Sequence, residues 1–155
     1  MYQYVECGLN NVYLTSGYNV EETEGYGETL SIHDIVGLHR TIGDSIVRQK
    51  RTMNGAEFRF LRLELDLSQR ALAERLSTNE QSIAKWEKAA EKPVANRSAE
   101  RLLRIIYANT NKDATNKDET LGRLIQSITE SDQALDAEQI QLRHDREGWH
   151  AALAA

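Results

Sequence analysis

The feature that most constrains the fold of this chain is a run of four short segments with helical spacing between residues 56 and 107. In each segment apolar residues recur with a period of about 3.6, which is typical of an amphipathic helix. Each segment is too short to be stable as an isolated helix, so the four must share one apolar core. The core residues that the spacing predicts are Phe60, Leu61, Leu65, Leu72, Ala73, Leu76, Ile83, Ala84, Trp86, Leu102, Leu103, Ile105 and Ile106.

The residues before this run predict a small β-containing part. The first thirty residues are rich in β-formers and have a glycine-rich break at Gly25 and Gly27, which predicts two or three short strands. So small a sheet needs a covering element, and the next segment has the spacing of a helix. Its predicted apolar positions are Ile35, Leu38, Ile42, Ile46 and Val47.

The residues after the run change in character. A polar stretch follows Tyr107 and predicts a linker, and a short helix is predicted between residues 119 and 129. In the tail, the turn before Gly148 and Trp149 predicts a β-hairpin, and the alternative is a continuous helix that ends in AALAA. The predicted fold is mainly α with a small β-containing N-terminal part. The predicted divisions are residues 1–54, 55–108 and 109–155.

The net charge of −5 conceals a segregation of charge along the chain. Residues 1–47 contain one basic residue and seven acidic ones, whereas residues 48–104 contain thirteen basic and eight acidic residues. Residues 105–155 contain five basic and nine acidic residues. Such asymmetry is more informative about partners than the net charge is. We therefore expect a polyanion to bind the middle third.

Several other classes of protein are disfavoured. No apolar run approaches the roughly 20 residues of a membrane span, and the N-terminus lacks the features of a secretory signal, so a cytoplasmic protein without membrane contact is expected. Cys7 is the single cysteine and is interpreted as a small buried hydrophobe or an inert thiol. His33 and His39 are badly spaced for a shared metal. We expect no metal, no cofactor and no enzymatic activity.

The second and third helical segments are joined by a tight connection over residues 77–79. Ala73 is small enough to let the two helices cross closely, which is the arrangement of a helix-turn-helix. Side chains at the start of the third segment are polar, and Gln, Asn, Glu and Lys can all bond to base edges in the major groove. Glu80 has a second interpretation, as a carboxylate that stabilises a helix N-terminus. The predicted base-reading residues are Asn79, Glu80, Gln81, Ser82 and Lys85.

The segment LSQRALAERLSTNEQSIAKWEKA resembles the helix-turn-helix of the Xre and lambda-type repressor family. The likeness covers about residues 56–107 and implies a lambda-repressor-like DNA-binding domain. It implies that Gln69 contacts the DNA backbone and supports the recognition helix. It also matches Arg62 and Glu87 to a pair that bridges two helices in the family, and we interpret this pair as a structural ion pair. The residue that is usually glycine after the second helix is Ser77 here.

Phosphate contacts are expected from side chains around these helices. Ser68 is expected to cap the second segment as well. Arg59, Arg75 and Lys88 are read as solubilising charges. The predicted backbone-contacting residues are Ser68, Gln69, Arg70, Lys92 and Arg97.

The preceding segment, from YVECGLNNVYLTSGY to GLHRTIGDSIV, resembles the front of MqsA-type antitoxin regulators. In that family a small β-containing domain with four zinc-binding cysteines precedes the DNA-binding helices. Because this segment has only Cys7, it cannot form the same zinc site. The resemblance implies that the acidic residues 1–47 bind a basic toxin. The alternative is that they enlarge the core or form a dimer.

Together these features predict a sequence-specific double-stranded DNA-binding transcriptional regulator on the bacterial nucleoid. One recognition helix contacts too few base pairs for genomic specificity, so a homodimer on a palindromic operator is expected. The antitoxin resemblance implies that it represses its own operon. The alternatives are a phage- or plasmid-type repressor without a toxin, and a helical adaptor that does not bind DNA.

Overall fold

The computed structural model describes residues 1–49, 51–110 and 139–151. The chain divides into two compact units: Met1–Ile42 with Ala137–Ala155, here called the sheet unit, and Gly43–Asp136, here called the helical unit. These units differ from the predicted divisions at residues 54 and 108, because the tail belongs to the same unit as the N-terminus. The predicted linker and the predicted helix between residues 119 and 129 lie outside the described residues.

A four-stranded sheet in the sheet unit joins the two ends of the chain. Its strands, in spatial order, are β1 (Tyr2–Gln3), β2 (Val12–Leu14), β5 (Ile140–Asp145) and β6 (Gly148–Ala151). Strand β2 pairs in parallel with β5, whereas the two outer pairings are antiparallel. The predicted hairpin in the tail is confirmed, and Gly148 has a φ of +111° at its turn.

The interior of this sheet is formed by alternate residues of its central strands. Val12, Leu14 and Leu142 are fully buried, as expected for strand positions that face one side. Trp149 is buried too, and its indole nitrogen donates to the carbonyl oxygens of His33 and Asp34 at 2.8 and 3.1 Å. The register of β2 on β5 therefore places apolar side chains together from opposite ends of the sequence.

A separate two-stranded sheet follows β2 in the chain. Strands β3 (Tyr18–Thr23) and β4 (Gly27–Ile32) form an antiparallel hairpin, and the predicted glycine-rich break is its turn. Gly25 and Gly27 have φ values of +90° and +73°, a left-handed conformation that glycine adopts without strain. Every residue from 19 to 29 is exposed.

The predicted helix after the hairpin is α1 (Ile35–Arg48). Leu38, Ile42, Ile46 and Val47 are buried as predicted, but Ile35 is 50% exposed, so its prediction as a buried position is wrong. Ile35 is the first residue of the helix and lies at the edge of the apolar stripe rather than beneath it.

The four predicted helices of the helical unit are present. They are α2 (Gly55–Glu64), α3 (Gln69–Arg75), α4 (Glu80–Lys88) and α5 (Arg97–Thr110). The shared core that their lengths require is formed by fully buried side chains from all four helices. These include Phe58, Leu61, Leu72, Ile83, Leu103 and Tyr107. Leu102 is 38% exposed, so its prediction as a core residue is wrong. Five helices and two small sheets make the described chain mainly α. No helix within the described ranges is both long enough and apolar enough to cross a membrane.

Candidate nucleic-acid interface

Helices α3 and α4 are separated by a turn whose conformation depends on Ser77. This residue has a φ of +54°, so it occupies the left-handed position that ends many helices. The amide of Thr78 donates to the carbonyl of Ala73 at 3.0 Å, and the amide of Ser77 donates to that of Glu74 at 3.4 Å. This is the hydrogen-bond pattern of a Schellman motif. Serine thus occupies the position usually held by glycine and keeps the turn tight.

The start of α4 is set by Asn79. Its Oδ1 accepts a hydrogen bond from the backbone amide of Ser82 at 2.8 Å, which makes it the N-cap of the helix. A bidentate contact with adenine requires both the amide oxygen and the amide nitrogen of an asparagine. The oxygen of Asn79 already accepts the capping bond, so this residue has a structural role beside its predicted contact with a base edge, which stays a prediction.

Helix α4 has two chemically different faces. Ile83 and Glu87 are buried one turn apart, whereas Gln81 and Lys85, also one turn apart, are exposed on the other side. Glu80 is exposed in the first turn, where its carboxylate lies near the positive end of the helix dipole. Four of the five predicted base-reading residues are therefore exposed, including the N-cap Asn79, and Ser82 is half-buried.

A buried ion pair connects α4 to α2. The Arg62 guanidinium donates two hydrogen bonds to the Glu87 carboxylate, each 2.8 Å long, and a third at 2.9 Å to the carbonyl of Leu67. The two side chains are 9% and 4% exposed, so the pair is nearly removed from water. Gln69 also reaches Glu87, with 3.4 Å between its Nε2 and Oε1. The predicted pairing is present, and it holds the side of α4 opposite Gln81 and Lys85.

A close backbone approach also holds the C-terminal end of α4 against α2. The amides of Gly55 and Ala56, at the start of α2, donate to the carbonyls of Lys92 and Ala90 at 3.1 and 3.0 Å. A Cβ atom on Gly55 would lie 2.0 Å from the carbonyl oxygen of Trp86. Only glycine permits this approach, and no motif in the sequence marks it.

Trp86 has a smaller role in the core than predicted. Its ring packs edge-on against that of fully buried Phe58, with 5.6 Å between the ring centroids, but the tryptophan is only half-buried. Phe58, which the sequence analysis did not select, is the central aromatic side chain here.

Four of the five predicted phosphate-contacting residues are exposed on the helical unit, whereas Gln69 is half-buried beside Glu87. Ser68 caps α3 by accepting from the amide of Ala71 at 3.0 Å, which leaves its hydroxyl proton available to donate. The side chain of Arg70 is 80% exposed, with its Nε 3.9 Å from Glu74 in a weak surface pair. Lys92 and Arg97 are exposed in the connection before α5 and in its first turn.

Two further buried glutamates organise the region and were missed. Glu57 is fully buried, forms a capping box with Asn54 and accepts two hydrogen bonds of 2.9 Å from Arg51. The pattern Asn-x-x-Glu before an apolar run is a capping-box signature, so this role could have been found. Glu100 bonds Arg104 one turn away on α5.

Arg104 also closes the segment between α1 and α2. Its guanidinium donates to the carbonyl oxygens of Val47, Gln49 and Arg51, with a distance of 2.6 Å to the last. Because Arg104 is only 4% exposed, these carbonyls are satisfied without water.

The sheet unit contains the other titratable residues that the sequence singled out. The Sγ of Cys7 donates to the carbonyl of Tyr4 at 3.1 Å, and burial raises the pKa of this thiol. His39 lies 2.8 Å from the Tyr4 hydroxyl, and the His33 ring lies edge-on to that of His144.

Within the described residues, one group of side chains could hold a metal ion: Asp145, Glu147 and His150 at the turn between β5 and β6. The Asp145 Oδ1 already accepts from the amide of Glu147 at 2.8 Å and lies 3.0 Å from the His150 ring. Chiefly the backbone bond, and then the histidine, lower the pKa of Asp145. These contacts account for the cluster as part of the hairpin turn.

Comparison of the chain with family models, with curated proteins and with solved structures found no match.

Proposed function

We propose that this chain is a sequence-specific double-stranded DNA-binding regulator in which α4 enters the major groove. The observation that carries the proposal is the orientation of α4. Its Ile83–Glu87 side is buried, and its opposite side carries Gln81 and Lys85 into solvent. A recognition helix requires this combination of a rigidly held inner face and polar side chains free to reach base edges.

The chemistry of the exposed side chains suits base recognition. Gln81 can bond an adenine edge through both amide atoms, Lys85 can donate to guanine, and Glu80 can accept from cytosine. Their shared support by the Arg62–Glu87 pair limits the positions that they can take. That rigidity favours discrimination between base pairs over general attraction to DNA.

Phosphate contacts would come from exposed cations on the same unit. Thirteen basic and eight acidic residues lie in positions 48–104, and three of the acidic ones (Glu57, Glu87 and Glu100) are buried in ion pairs. These glutamates neutralise Arg51, Arg62 and Arg104, so the pairs leave the excess of five positive charges to the other residues of these positions. Arg70, Lys92 and Arg97 are exposed, as phosphate-contacting side chains must be.

We infer that the protein acts as a homodimer on a palindromic operator, because one short helix reads too few base pairs for genomic specificity. Repression of its own operon belongs to the same proposal. The expected basic toxin that binds residues 1–47 stays a prediction.

The decisive experiment is selection of bound duplexes from a randomised pool, followed by titration of the selected duplex at several salt concentrations. A dimer that uses Arg70, Lys92 and Arg97 of each copy would neutralise about six phosphates, so its affinity should fall about a thousandfold between roughly 50 and 200 mM salt. Gln81→Ala/Lys85→Ala should reduce the preference for the selected duplex over a scrambled one by about a hundredfold.

The matched control is Gln3→Ala/Arg40→Ala, which removes the same kinds of side chain from exposed positions outside the helical unit. It should leave the preference unchanged. If no duplex is enriched, or if the preference survives loss of Gln81 and Lys85, α4 does not read DNA. The helical adaptor would then be the better account.

A further inference from the structure

The β3–β4 hairpin is unusually open for part of a folded protein. Within the described residues its two strands pair only with each other, so the outer edge of each strand has no strand partner. All residues from 19 to 29 are exposed. A two-stranded hairpin is marginally stable alone, and open strand edges are templates for pairing with another chain.

The charge of the hairpin is of one sign. Residues 18–32 contain four glutamates and no lysine, arginine or histidine. Glu22 lies directly opposite Glu28 in the register, and like charges in such a cross-strand pair are destabilising. This glutamate pair does not stabilise the hairpin, whereas a cationic partner would relieve the repulsion between the two carboxylates.

One face of the hairpin is also apolar towards its base. Val20 lies opposite Leu30, and Tyr18 lies opposite Ile32, so these four side chains share a face with Glu22 and Glu28. Val20 is 43% exposed, and Tyr26 at the turn is 86% exposed. The face therefore offers apolar surface next to carboxylates.

The negative field extends to the base of the hairpin. The ring of Tyr2 packs against that of Tyr18, with 5.4 Å between centroids, and its hydroxyl donates to the Glu6 carboxylate. This hydrogen bond, followed by burial and the charges of Glu6 and Glu28, raises the pKa of Tyr2 to about 12. The two carboxylates contribute to this rise after the hydrogen bond and burial, and Glu28 belongs to the hairpin itself.

We propose that the β3–β4 hairpin is a docking surface for a basic, extended protein segment that pairs along one of its open edges. Backbone hydrogen bonds to the edge would supply affinity, and alternate lysine or arginine side chains would reach the glutamates. A second copy of this chain fits badly, because its hairpin would bring four more glutamates to the same place. The proposal uses no residue of the helical unit, so it stands or falls separately from DNA binding. It narrows the partner surface predicted for residues 1–47 to the hairpin.

The test uses the full chain and a short peptide of alternating lysine and valine. Binding is measured by fluorescence anisotropy, and the site is mapped from amide chemical shifts. The shifts should be confined to β3 and β4, and an alternating glutamate–valine peptide should not bind. The variant Glu22→Gln/Glu24→Gln/Glu28→Gln should weaken binding about tenfold while leaving the hairpin at least as stable, because cross-strand repulsion is removed.

The matched control is Glu64→Gln/Glu74→Gln/Glu91→Gln, which removes three exposed glutamates from the helical unit. Binding should change less than about twofold if the peptide is held by the hairpin glutamates rather than by the overall charge of the chain. Equal weakening in both variants would mean general electrostatic attraction and would overturn the proposal. Sedimentation that shows the unsubstituted chain self-associating, with amide shifts confined to β3 and β4, would overturn it in favour of a second copy.

Discussion

The glutamates of the helical unit and those of the β3–β4 hairpin are used in opposite ways. Glu57, Glu87 and Glu100 are buried, and each is bonded to an arginine. The hairpin glutamates are exposed, and Glu22 and Glu28 face each other without a cation between them. A buried charge is tolerated only when it is paired, so the first set is committed to the fold. The second set is available to something outside it.

This difference separates two kinds of surface. In the helical unit the buried pairs hold α2, α4 and α5 and leave exposed cations around α4, which is the charge distribution a polyanion requires. In the hairpin the absence of cations leaves negative charge along open strand edges. The two surfaces would therefore attract partners of opposite charge.

The largest expected effect comes from breaking a buried pair. Glu87→Ala would leave the Arg62 guanidinium buried without its carboxylate, and such losses cost about 3–5 kcal/mol in the free energy of unfolding. Urea denaturation measures this change. The same truncation in the hairpin, Glu28→Ala, should change stability by less than about 0.5 kcal/mol because the residue is exposed. Equal effects at the two positions would contradict the comparison.

A double variant separates the net contribution of the Arg62–Glu87 pair to stability from the cost of leaving Arg62 buried without a partner. Arg62→Met/Glu87→Leu removes both charges together, and replacing a buried pair with apolar side chains is often close to neutral. We therefore expect the double variant to recover most of the stability that Glu87→Ala loses. A double variant as unstable as Glu87→Ala would mean that the wider contacts of Arg62, including that to the Leu67 carbonyl, outweigh the pair.

The next effect concerns the close approach of α2 and α4. Gly55→Ala would place a methyl group 2.0 Å from the Trp86 carbonyl oxygen, so the two helices must separate. Overpacking of this kind costs about 1–3 kcal/mol, which thermal denaturation would show as a lower Tm.

The matched control for this substitution is Gly37→Ala on α1. Its added methyl group would meet only the side chain of Asp34, which is exposed but accepts a hydrogen bond from the Gly37 amide at 3.1 Å. Rotation of Asp34 would lose this capping bond, worth about 1 kcal/mol, and the higher helix propensity of alanine would offset a similar amount, so little net change is expected. A loss of stability at Gly37 as large as that at Gly55 would show that the close approach of α2 and α4 is not the cause.

The smallest expected effect is a change in the pKa of Tyr2, which lies beside the carboxylates of Glu6 and Glu28. The folded-state pKa of Tyr2, about 12, lies above its ordinary value of 10.0, so the folded state holds the phenolic proton more tightly. The corresponding stability is present in full below pH 10 and is lost as the pH rises towards about 12. Glu6→Gln should move the pKa of Tyr2 back towards 10.0, since the Glu6 hydrogen bond is the first cause of the rise.

This shift is measurable from tyrosinate absorbance during a pH titration. The Tyr2→Phe spectrum is subtracted to isolate one phenol among the six tyrosines. Glu28→Gln should lower the pKa of Tyr2 by less than Glu6→Gln does. An unchanged pKa in the Glu6→Gln variant would place the source of the field elsewhere.

Local patterns were sufficient to predict the helices and the hairpin in the tail. Apolar spacing located α1 to α5, and the turn before Gly148 located β5 and β6, because these signals depend on neighbours within one or two turns of chain. The predicted burial of Ile35 was wrong, because spacing alone does not show where an apolar stripe extends beyond the core.

Part of the candidate site was also predictable. The exposure of Gln81 and Lys85 followed from the apolar positions between them, and the Arg62–Glu87 pair was expected from the repressor resemblance. The capping bond of Asn79 was missed, although asparagine before a helix is a strong N-cap residue. The need for glycine at position 55 could not be predicted, because it arises from the carbonyl of Trp86, thirty-one positions away in the sequence.

The sequence by itself determined where helices form and how charge is divided along the chain, since both depend on residue type and short-range order. Only the tertiary structure decided which charged side chains are buried in ion pairs and which stay exposed. It paired Val12 with Ile140 across the length of the chain, and it buried Glu87 against Arg62 while leaving Glu22 opposite Glu28 in water. Burial depends on the residues that other segments bring alongside, and those neighbours are remote in sequence.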